Sequence, residues 1–403
     1  METEPTSTPP EATPSRRVLL GAALAAGAGA GAGLITGRAV ATSGNGQPPA
    51  AAGPAAASPP ESFYGAHQPG ITSHPLAALR LTALDVRTAR RDEVRRLLVS
   101  WSRLAGDFAA RAAANPADQI TATIGLGRSL LTNPALGLAP RLPDALVDLP
   151  AFPRDQIDQA RSGGDLCLHV CAAHPGTAFA ATRELLAVAG SAAAPRWSVR
   201  GFLTVNGAET PRNLLGFKDS SGNPPAGEAR DAVVWTAPES EPQWMAGGTY
   251  LVMRRIRADL DRWDRLDRAQ QERIVGRDRH TGAPLSTGAE NTPADFAATG
   301  PDGQPLIPID SHLRRANLVF TRGARIHRRG YNYDDGLTPD GRTDAGAIFL
   351  SYQADPRRGF IPIHTNLANA DALHRFLTHT ASAVFAIPPG CAPDSHIGAL
   401  LWT

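Results

Sequence analysis

The segments with strand and helix patterns in this 403-residue chain follow the order β-α-β-β-α-β, and that order occurs twice. In the first half the predicted helix over 92–114 has apolar residues at three- and four-residue spacing. The segments on either side of it either alternate between apolar and polar residues or are apolar throughout, which is typical of strands. The predicted strands are 79–86, 120–126, 165–172, 197–205, 249–256, 325–331, 347–353 and 383–387, and the predicted helices are 92–114, 178–189, 260–274 and 371–379. Two such units predict an α+β fold with two ferredoxin-like domains of the dimeric α+β barrel type.

The first 61 residues differ from the rest of the chain, because small residues and proline dominate and aromatic residues are absent before Phe63. Arg16 and Arg17 precede an apolar run from Gly21 to Ile35, which is typical of a twin-arginine signal peptide. We therefore predict a signal peptide at 1–41, a disordered linker at 42–61 and two domains at 62–210 and 211–403. The alternative is an uncleaved membrane anchor, although 15 residues are short for a bilayer span.

The charge pattern gives no reason to expect a nucleic-acid partner, because the 40 basic and 38 acidic residues are spread along the chain. Three cysteines do not form a disulfide framework in a chain of this size. Cys167, His169 and Cys171 alternate along one predicted strand, so they would share one face and could in principle bind a metal. The apolar residues between them favour a strand buried on both faces, and we predict a core role.

Three clusters contain residues that could perform chemistry. The first is the Gly-rich loop from Gly216 to Pro224, in the long connection over 206–247, and Asp219 is its only acid. The second is 310–317, where His312 precedes two arginines. The third is 326–333, where Arg328 and Arg329 end a predicted strand. Taken singly, each is more typical of a turn, a structural histidine or a solvated strand end.

Together the clusters resemble those of the dye-decolorizing (DyP-type) haem peroxidases, in particular the exported class with the EfeB-type deferrochelatase/peroxidases. The family motif Gly-x-x-Asp-Gly is matched by Gly216 to Asp219, the proximal motif by 312–317, and Arg-Arg-Gly-Tyr by 328–331. The resemblance covers about residues 62–402. Ser220 stands where the motif has glycine, and the segment from His312 to the arginine pair is two residues shorter than in the family.

The resemblance implies one haem b per chain, held mainly by the C-terminal domain, with His312 as the axial iron ligand. It implies that Asp219 moves a proton between the two peroxide oxygens and that Arg328 stabilises the charge that develops. Arg329 would point elsewhere by strand alternation or meet a haem propionate. Other expected haem contacts are Gly216, Phe217, Lys218, Ser220, Ser221 and Phe349, and Asp394 is a candidate to orient the imidazole.

The implied activity is a peroxidase that reduces hydrogen peroxide and oxidises organic donors such as dyes. Two alternatives use the same haem site: a deferrochelatase that releases iron from intact porphyrin, and a non-enzymatic haem-binding protein. The expected partners are hydrogen peroxide, an organic electron donor and iron-uptake components, with no nucleic acid and no stable membrane span after processing. We also expect a homo-oligomer in a periplasmic, cell-envelope or secreted location. Six aromatic residues could relay electrons but are more typical of core: Trp235, Trp244, Trp263, Tyr331, Tyr333 and Tyr352.

Overall fold

The computed structural model describes residues 60–204, 209–286 and 288–403. Its strands are β1 (Ala78–Val86), β2 (Ile120–Gly127), β3 (Leu166–Ala172), β4 (Ala193–Phe202), β5 (Thr249–Ala258), β6 (His327–Arg328), β7 (Tyr331–Leu337), β8 (Thr343–Gln353) and β9 (Leu377–Ile387). The α-helices are α1 (Arg91–Ala114), α2 (Arg128–Thr132), α3 (Pro175–Ala189), α4 (Glu228–Val234), α5 (Leu260–Trp263), α6 (Arg268–Val275), α7 (His312–Ala316) and α8 (Phe360–Ala370). The predicted signal peptide and most of the linker lie outside the described residues.

Both halves have the ferredoxin-like strand order. The first half is ordered β4-β1-β3-β2 and the second β9-β5-β8-β7, and every pairing is antiparallel. The two sheets join where β2 pairs with β9 and where β4 pairs with β7, so the strands close into one barrel. The predicted α+β fold of two ferredoxin-like units is therefore confirmed.

The apolar residues form one core outside the first sheet and one inside the barrel. The long amphipathic α1 and α3 cover the outer face of the first sheet through residues such as Leu98, Trp101 and Leu185. The inner core takes side chains from both halves, among them Leu81 on β1, Leu251 on β5 and Leu350 on β8. Two smaller clusters lie beside the second sheet.

The strand that carries the Cys-x-His-x-Cys pattern is buried on both faces, as predicted. His169 lies 3.2 Å from Cys171 Sγ and 3.0 Å from the Tyr352 hydroxyl, so its polar atoms are satisfied within the core. Of the six aromatic residues, five are at most 2% exposed and Trp235 packs at the edge of the inner core, which confirms the core role. Among the described residues, no helix is long and apolar enough to span a membrane.

Three predicted elements of the second half differ from the structure. The predicted helix at 371–379 is wrong: Asp371 caps a short 3-10 turn over Ala372–Phe376, β9 starts at Leu377, and α8 precedes them. The predicted helix at 260–274 is two helices, because Asp267 begins a new helix with a capping box to Gln270. The predicted strand at 325–331 is divided between β6 and β7.

Candidate active site

A cavity of about 490 Å³ lies in the second half of the chain, within the range of small-molecule and cofactor pockets. One wall is the sheet of β5, β8 and β9, which contributes Ile256, Phe349 and Leu377. Other walls are formed by α7, by α8 and by the loop over 213–225. Most of its lining is apolar with a few charged side chains, so it suits a largely apolar ligand that carries a few charged groups.

His312 begins α7 and presents its imidazole to this cavity. Its Nδ1 lies 2.7 Å from Asp371 Oδ2, and since an ionised carboxylate can only accept, Nδ1 donates and Nε2 keeps its lone pair. The Asp371 side chain is 2% exposed and also accepts the Leu373 N–H, whereas the His312 side chain is 28% exposed. The structure therefore holds one imidazole in a fixed tautomer with a metal-binding nitrogen free.

The prediction that Asp394 orients this imidazole is wrong. Asp394 is exposed on a turn near the end of the chain, and Asp371 is the acid in contact with His312. The sequence carries one signal for Asp371, since aspartate before Ala-Leu is typical of a helix N-cap. Its contact with a histidine 59 residues away is a tertiary feature that no local pattern reveals.

Asp219 lies in a tight loop that packs against the corner between β6 and β7. The loop is held by a hydrogen bond of 2.7 Å that the Asp219 N–H donates to the Pro211 carbonyl. A short hairpin from Asn213 to Phe217 also holds it. Asp219 Oδ1 accepts the Ser220 N–H at 2.6 Å. Ser220 has φ +66°, a left-handed backbone that favours glycine, so the serine in the motif adopts the conformation that glycine would adopt.

Arg328 is tied to the same loop. Its Nη2 donates to the Ser221 carbonyl at 2.8 Å, and its backbone exchanges two hydrogen bonds with the Asn223 side chain, at 3.0 and 2.8 Å. Asn223 therefore fixes the strand end against the loop. Asp219 and Arg328 both line the cavity, which places a proton acceptor and a permanent cation on one wall.

Gly330 sets how closely the β6–β7 corner approaches Asp219, because a Cβ at this position would lie 2.8 Å from Asp219 Oδ2. We expect Gly330→Ala to fold normally but to push the carboxylate aside, lowering kcat/KM by about 10- to 100-fold for a reaction that uses this carboxylate. Steady-state kinetics and thermal melting measure both. Gly65→Ala is the control, since a Cβ there meets nothing within 4 Å. Unchanged kinetics in Gly330→Ala would show that the position of Asp219 does not limit the rate.

Most of the residues predicted to contact the cofactor line the cavity, and two do not. Those that line it are Phe217, Lys218, Ser220, Ser221, His312, Arg328 and Phe349. The predicted contact of Arg329 with the cofactor is wrong. Its guanidinium is buried on the other side of the strand and donates to the Ser73 and His74 carbonyls at 2.6 and 3.3 Å. Gly216 is also outside the lining, and its carbonyl accepts from Arg212 at 3.0 Å. Alternation along the extended segment accounts for Arg329.

Sequence reasoning missed two further arginines in the cavity wall, Arg277 and Arg254. Burial, and then the charge of Arg328 nearby, lower the pKa of Arg277 to about 10. Arg254 donates to Asp155 at 2.5 Å, and its Nε has no hydrogen-bond partner among the described residues. Buried cations of this kind favour an anionic group in the cavity. Neither arginine lies in a recognisable motif.

His327, next to Arg328, is mostly buried rather than facing solvent. Burial, and then the charges of Arg329 and Arg230, lower its pKa to about 4, while a hydrogen bond with the Ile71 backbone acts in the opposite direction. Its Nδ1 has no hydrogen-bond partner in the described part of the chain.

The lowered pKa of His327 predicts acid sensitivity. The unfolded chain binds this proton below about pH 6.5, whereas the folded protein binds it only near pH 4. As the pH is lowered from 6.5 to 4, the free energy of unfolding therefore falls by up to about 1.4 kcal/mol per pH unit. When the pH is lowered from 6.5 to 4.5, the free energy of unfolding of His327→Gln should fall by about 1–2 kcal/mol less than that of the wild type. Urea unfolding at several pH values measures this, with the exposed His280→Gln as control. If the free energy of unfolding depends on pH in the same way in His327→Gln and in the wild type, the pKa of His327 is not lowered.

Comparison with protein families gives two matches that together span most of the described chain. A model described as "Dyp-type peroxidase, N-terminal" matches residues 68–203, and one described as "Dyp-type peroxidase, C-terminal" matches residues 210–392. The second match contains His312, Asp371, Asp219 and Arg328.

Individual proteins agree with the family models. A dye-decolorizing peroxidase of Thermobifida fusca is 41% identical over 80% of this chain and 81% of its own, and a deferrochelatase of Escherichia coli K12 is 34% identical over 85% and 87%. Among solved structures, ferric DtpA from Streptomyces lividans has a TM-score of 0.81 at 38% identity, covering 86% of this chain and 98% of that one.

Proposed function

This chain belongs to the Dyp-type peroxidase family and is a peroxidase, and from this premise we propose that it binds one haem b through His312 and handles peroxide with Asp219 and Arg328. The observation that carries the proposal is that one cavity combines these three side chains. The imidazole is oriented by a buried carboxylate, and the acid and the guanidinium are fixed on one loop and one strand end.

The residues present fit a haem. Apolar side chains such as Ile256, Phe349 and Leu367 suit the faces and edges of a porphyrin, and the arginines at 254 and 277 suit its carboxylates. His312 Nε2 is the nitrogen that would hold the iron, because Nδ1 is occupied by Asp371. When bound, the haem would supply the redox chemistry: two electrons for the reduction of hydrogen peroxide, replaced one at a time by an organic donor.

Asp219 and Arg328 then act on the peroxide itself. Ionised Asp219 takes the proton from one peroxide oxygen at its carboxylate and returns it to the other, which leaves as water. Arg328 stays cationic and stabilises the negative charge on that departing oxygen.

The proposal is tested by the absorption spectrum of the purified protein before and after addition of one equivalent of hydrogen peroxide. We expect a haem spectrum with nitrogen axial ligation, a change within seconds of peroxide addition, and return to the starting spectrum when a reducing dye is added. A protein that carries haem but shows no spectral response to peroxide would contradict the proposal.

A second candidate is release of iron from haem with the porphyrin intact, because relatives with the printed name deferrochelatase are 34% identical over 85% of this chain. The same cavity would hold the porphyrin in both cases. Product analysis separates them: peroxidase turnover yields an oxidised donor, whereas the alternative yields metal-free porphyrin in proportion to the iron released.

The location and assembly of the protein complete the proposal. The Arg16-Arg17 pair and the apolar run after it support export by the twin-arginine route, with residues 1–41 removed and 42–61 left as a linker. The functional chain would then comprise the domains at 62–210 and 211–403, act outside the cytoplasm and form a homo-oligomer. Iron-uptake components would be partners of this protein only if iron release is its physiological activity.

A further inference from the structure

Three side chains with metal-binding atoms converge beside the cavity, and the two histidines among them also line it. They are Asp155, from the loop between α2 and β3, His364 on α8 and His379 on β9. One nitrogen or carboxylate oxygen of each lies within 4.8 Å of the others. We call these three residues the edge triad.

Local structure holds the edge triad in place. β9 has a bulge at Thr380, where Arg255 pairs with Ala381 and Ile256 with His379, and a bulge of this kind redirects the neighbouring side chains. The loop of Asp155 is bound to that bulge through the Gln156 N–H to the His379 carbonyl and the Asp158 N–H to the Thr380 carbonyl, both 2.9 Å.

The third member is held by aromatic rings. The His364 imidazole stacks on Phe360 with 5.0 Å between ring centroids and meets the edge of Phe152 at 4.4 Å. Its own ring lies 4.7 Å from the His379 ring. All three members are therefore positioned by packing from the chain itself.

Two buried nitrogens of the edge triad lack a hydrogen bond in the described part of the chain, and one of them, His379 Nδ1, lies 3.6 Å from Asp155 Oδ1. His364 Nε2 and His379 Nδ1 make no hydrogen bond within the described residues, although the two rings are only 5% and 3% exposed. A buried polar atom without a hydrogen bond destabilises the fold, so such atoms usually have a function or a bound ligand.

Arg254 balances the charge of Asp155. It donates to Asp155 Oδ1 at 2.5 Å and to Ser382 Oγ at 3.2 Å, so the buried carboxylate has a cation beside it. A carboxylate has two oxygens and can keep this bond while the other oxygen binds an ion. Repulsion from Arg254 lowers the affinity for a dication, which favours an exchangeable site over a permanent structural one.

From this geometry we propose that Asp155, His364 and His379 form a binding site for one divalent first-row transition-metal ion, such as Fe²⁺ or Zn²⁺. Two imidazoles and one carboxylate suit these ions and leave coordination positions for water. Bonds of about 2.0–2.2 Å require the ligand atoms to close to about 3–3.5 Å, which small rotations of the side chains provide. Neither the peroxide chemistry nor His312 is needed for this binding.

The test uses Zn²⁺ as the probe and untagged protein as purified, in a non-chelating buffer without peroxide. Equilibrium dialysis with metal analysis, and calorimetric titration, are expected to give one Zn²⁺ per chain with a Kd in the micromolar range. Asp155→Asn and His379→Gln should each weaken binding at least tenfold. The matched control is His396→Gln, because His396 also has an unpartnered Nε2 but lies outside the edge triad. It should bind Zn²⁺ as the wild type does.

Two results would overturn the proposal: wild-type protein that binds no Zn²⁺ at 100 times the expected Kd, or triad variants that bind as tightly as the wild type. If a variant does not fold, zinc K-edge absorption of the wild type decides instead. Scattering from two imidazoles and one oxygen supports the edge triad, and a spectrum without imidazole contradicts it. Loss of peroxidase activity has no bearing on either measurement, so this proposal and the proposed function fail separately.

Discussion

Asp219→Asn is expected to lower peroxide-dependent turnover by about 10²- to 10⁴-fold, while the protein keeps its haem. The amide has the same shape and can still accept the Ser220 N–H, so the loop should not move. It cannot take a proton from peroxide, because an amide is not a base at neutral pH. Steady-state oxidation of a dye and the haem content per chain are the two measurements.

The control for this variant is Asp302→Asn, an exposed aspartate whose side chain accepts the Gln304 N–H at the surface. It should retain wild-type turnover. Near-normal turnover in Asp219→Asn, with haem content unchanged, would remove Asp219 from the mechanism and point to another group as the base.

His312→Ala is expected to weaken haem binding by at least about 100-fold, or to leave haem bound with an altered axial spectrum. Two effects add: the iron loses its nitrogen ligand, and Asp371, whose side chain is 2% exposed, loses its hydrogen-bond donor. Titration of haem followed by absorbance measures the affinity. Added imidazole should restore the axial spectrum, because it can occupy the space that the side chain left.

The exposed His174→Gln is the control for a general effect of removing a histidine. If haem affinity and axial spectrum are both unchanged in His312→Ala, the iron ligand is another residue. The histidines at 364, 374 and 379, which also line the cavity, would be the next to examine.

The sequence was most informative where structure is local. The alternation of β1 and the apolar stripe of α1 predicted those elements to within a residue or two. α1 buries one face against the outer core, and β1 lies between the outer and the inner core. Asp267 shows the limit of periodicity: the apolar pattern continues through it, yet its capping box begins a new helix.

The site was predictable only where one short motif carried it. The loop with Asp219 and the arginine pair with Arg328 could be recognised by their local patterns, and the structure places both at the cavity. The contact of Asp371 with His312, and the approach of Asp155 to two histidines, join residues far apart in the chain. Such contacts depend on how the sheets close, which no local pattern encodes.

The barrel interior has a consequence for folding. Its side chains come from β1, β3 and β4 of the first half and from β5, β7, β8 and β9 of the second, so neither half contains a complete interior. An isolated fragment of either half would leave one face of its sheet in contact with water and would be prone to aggregate. We therefore expect the two halves to unfold together as one cooperative unit and not one after the other.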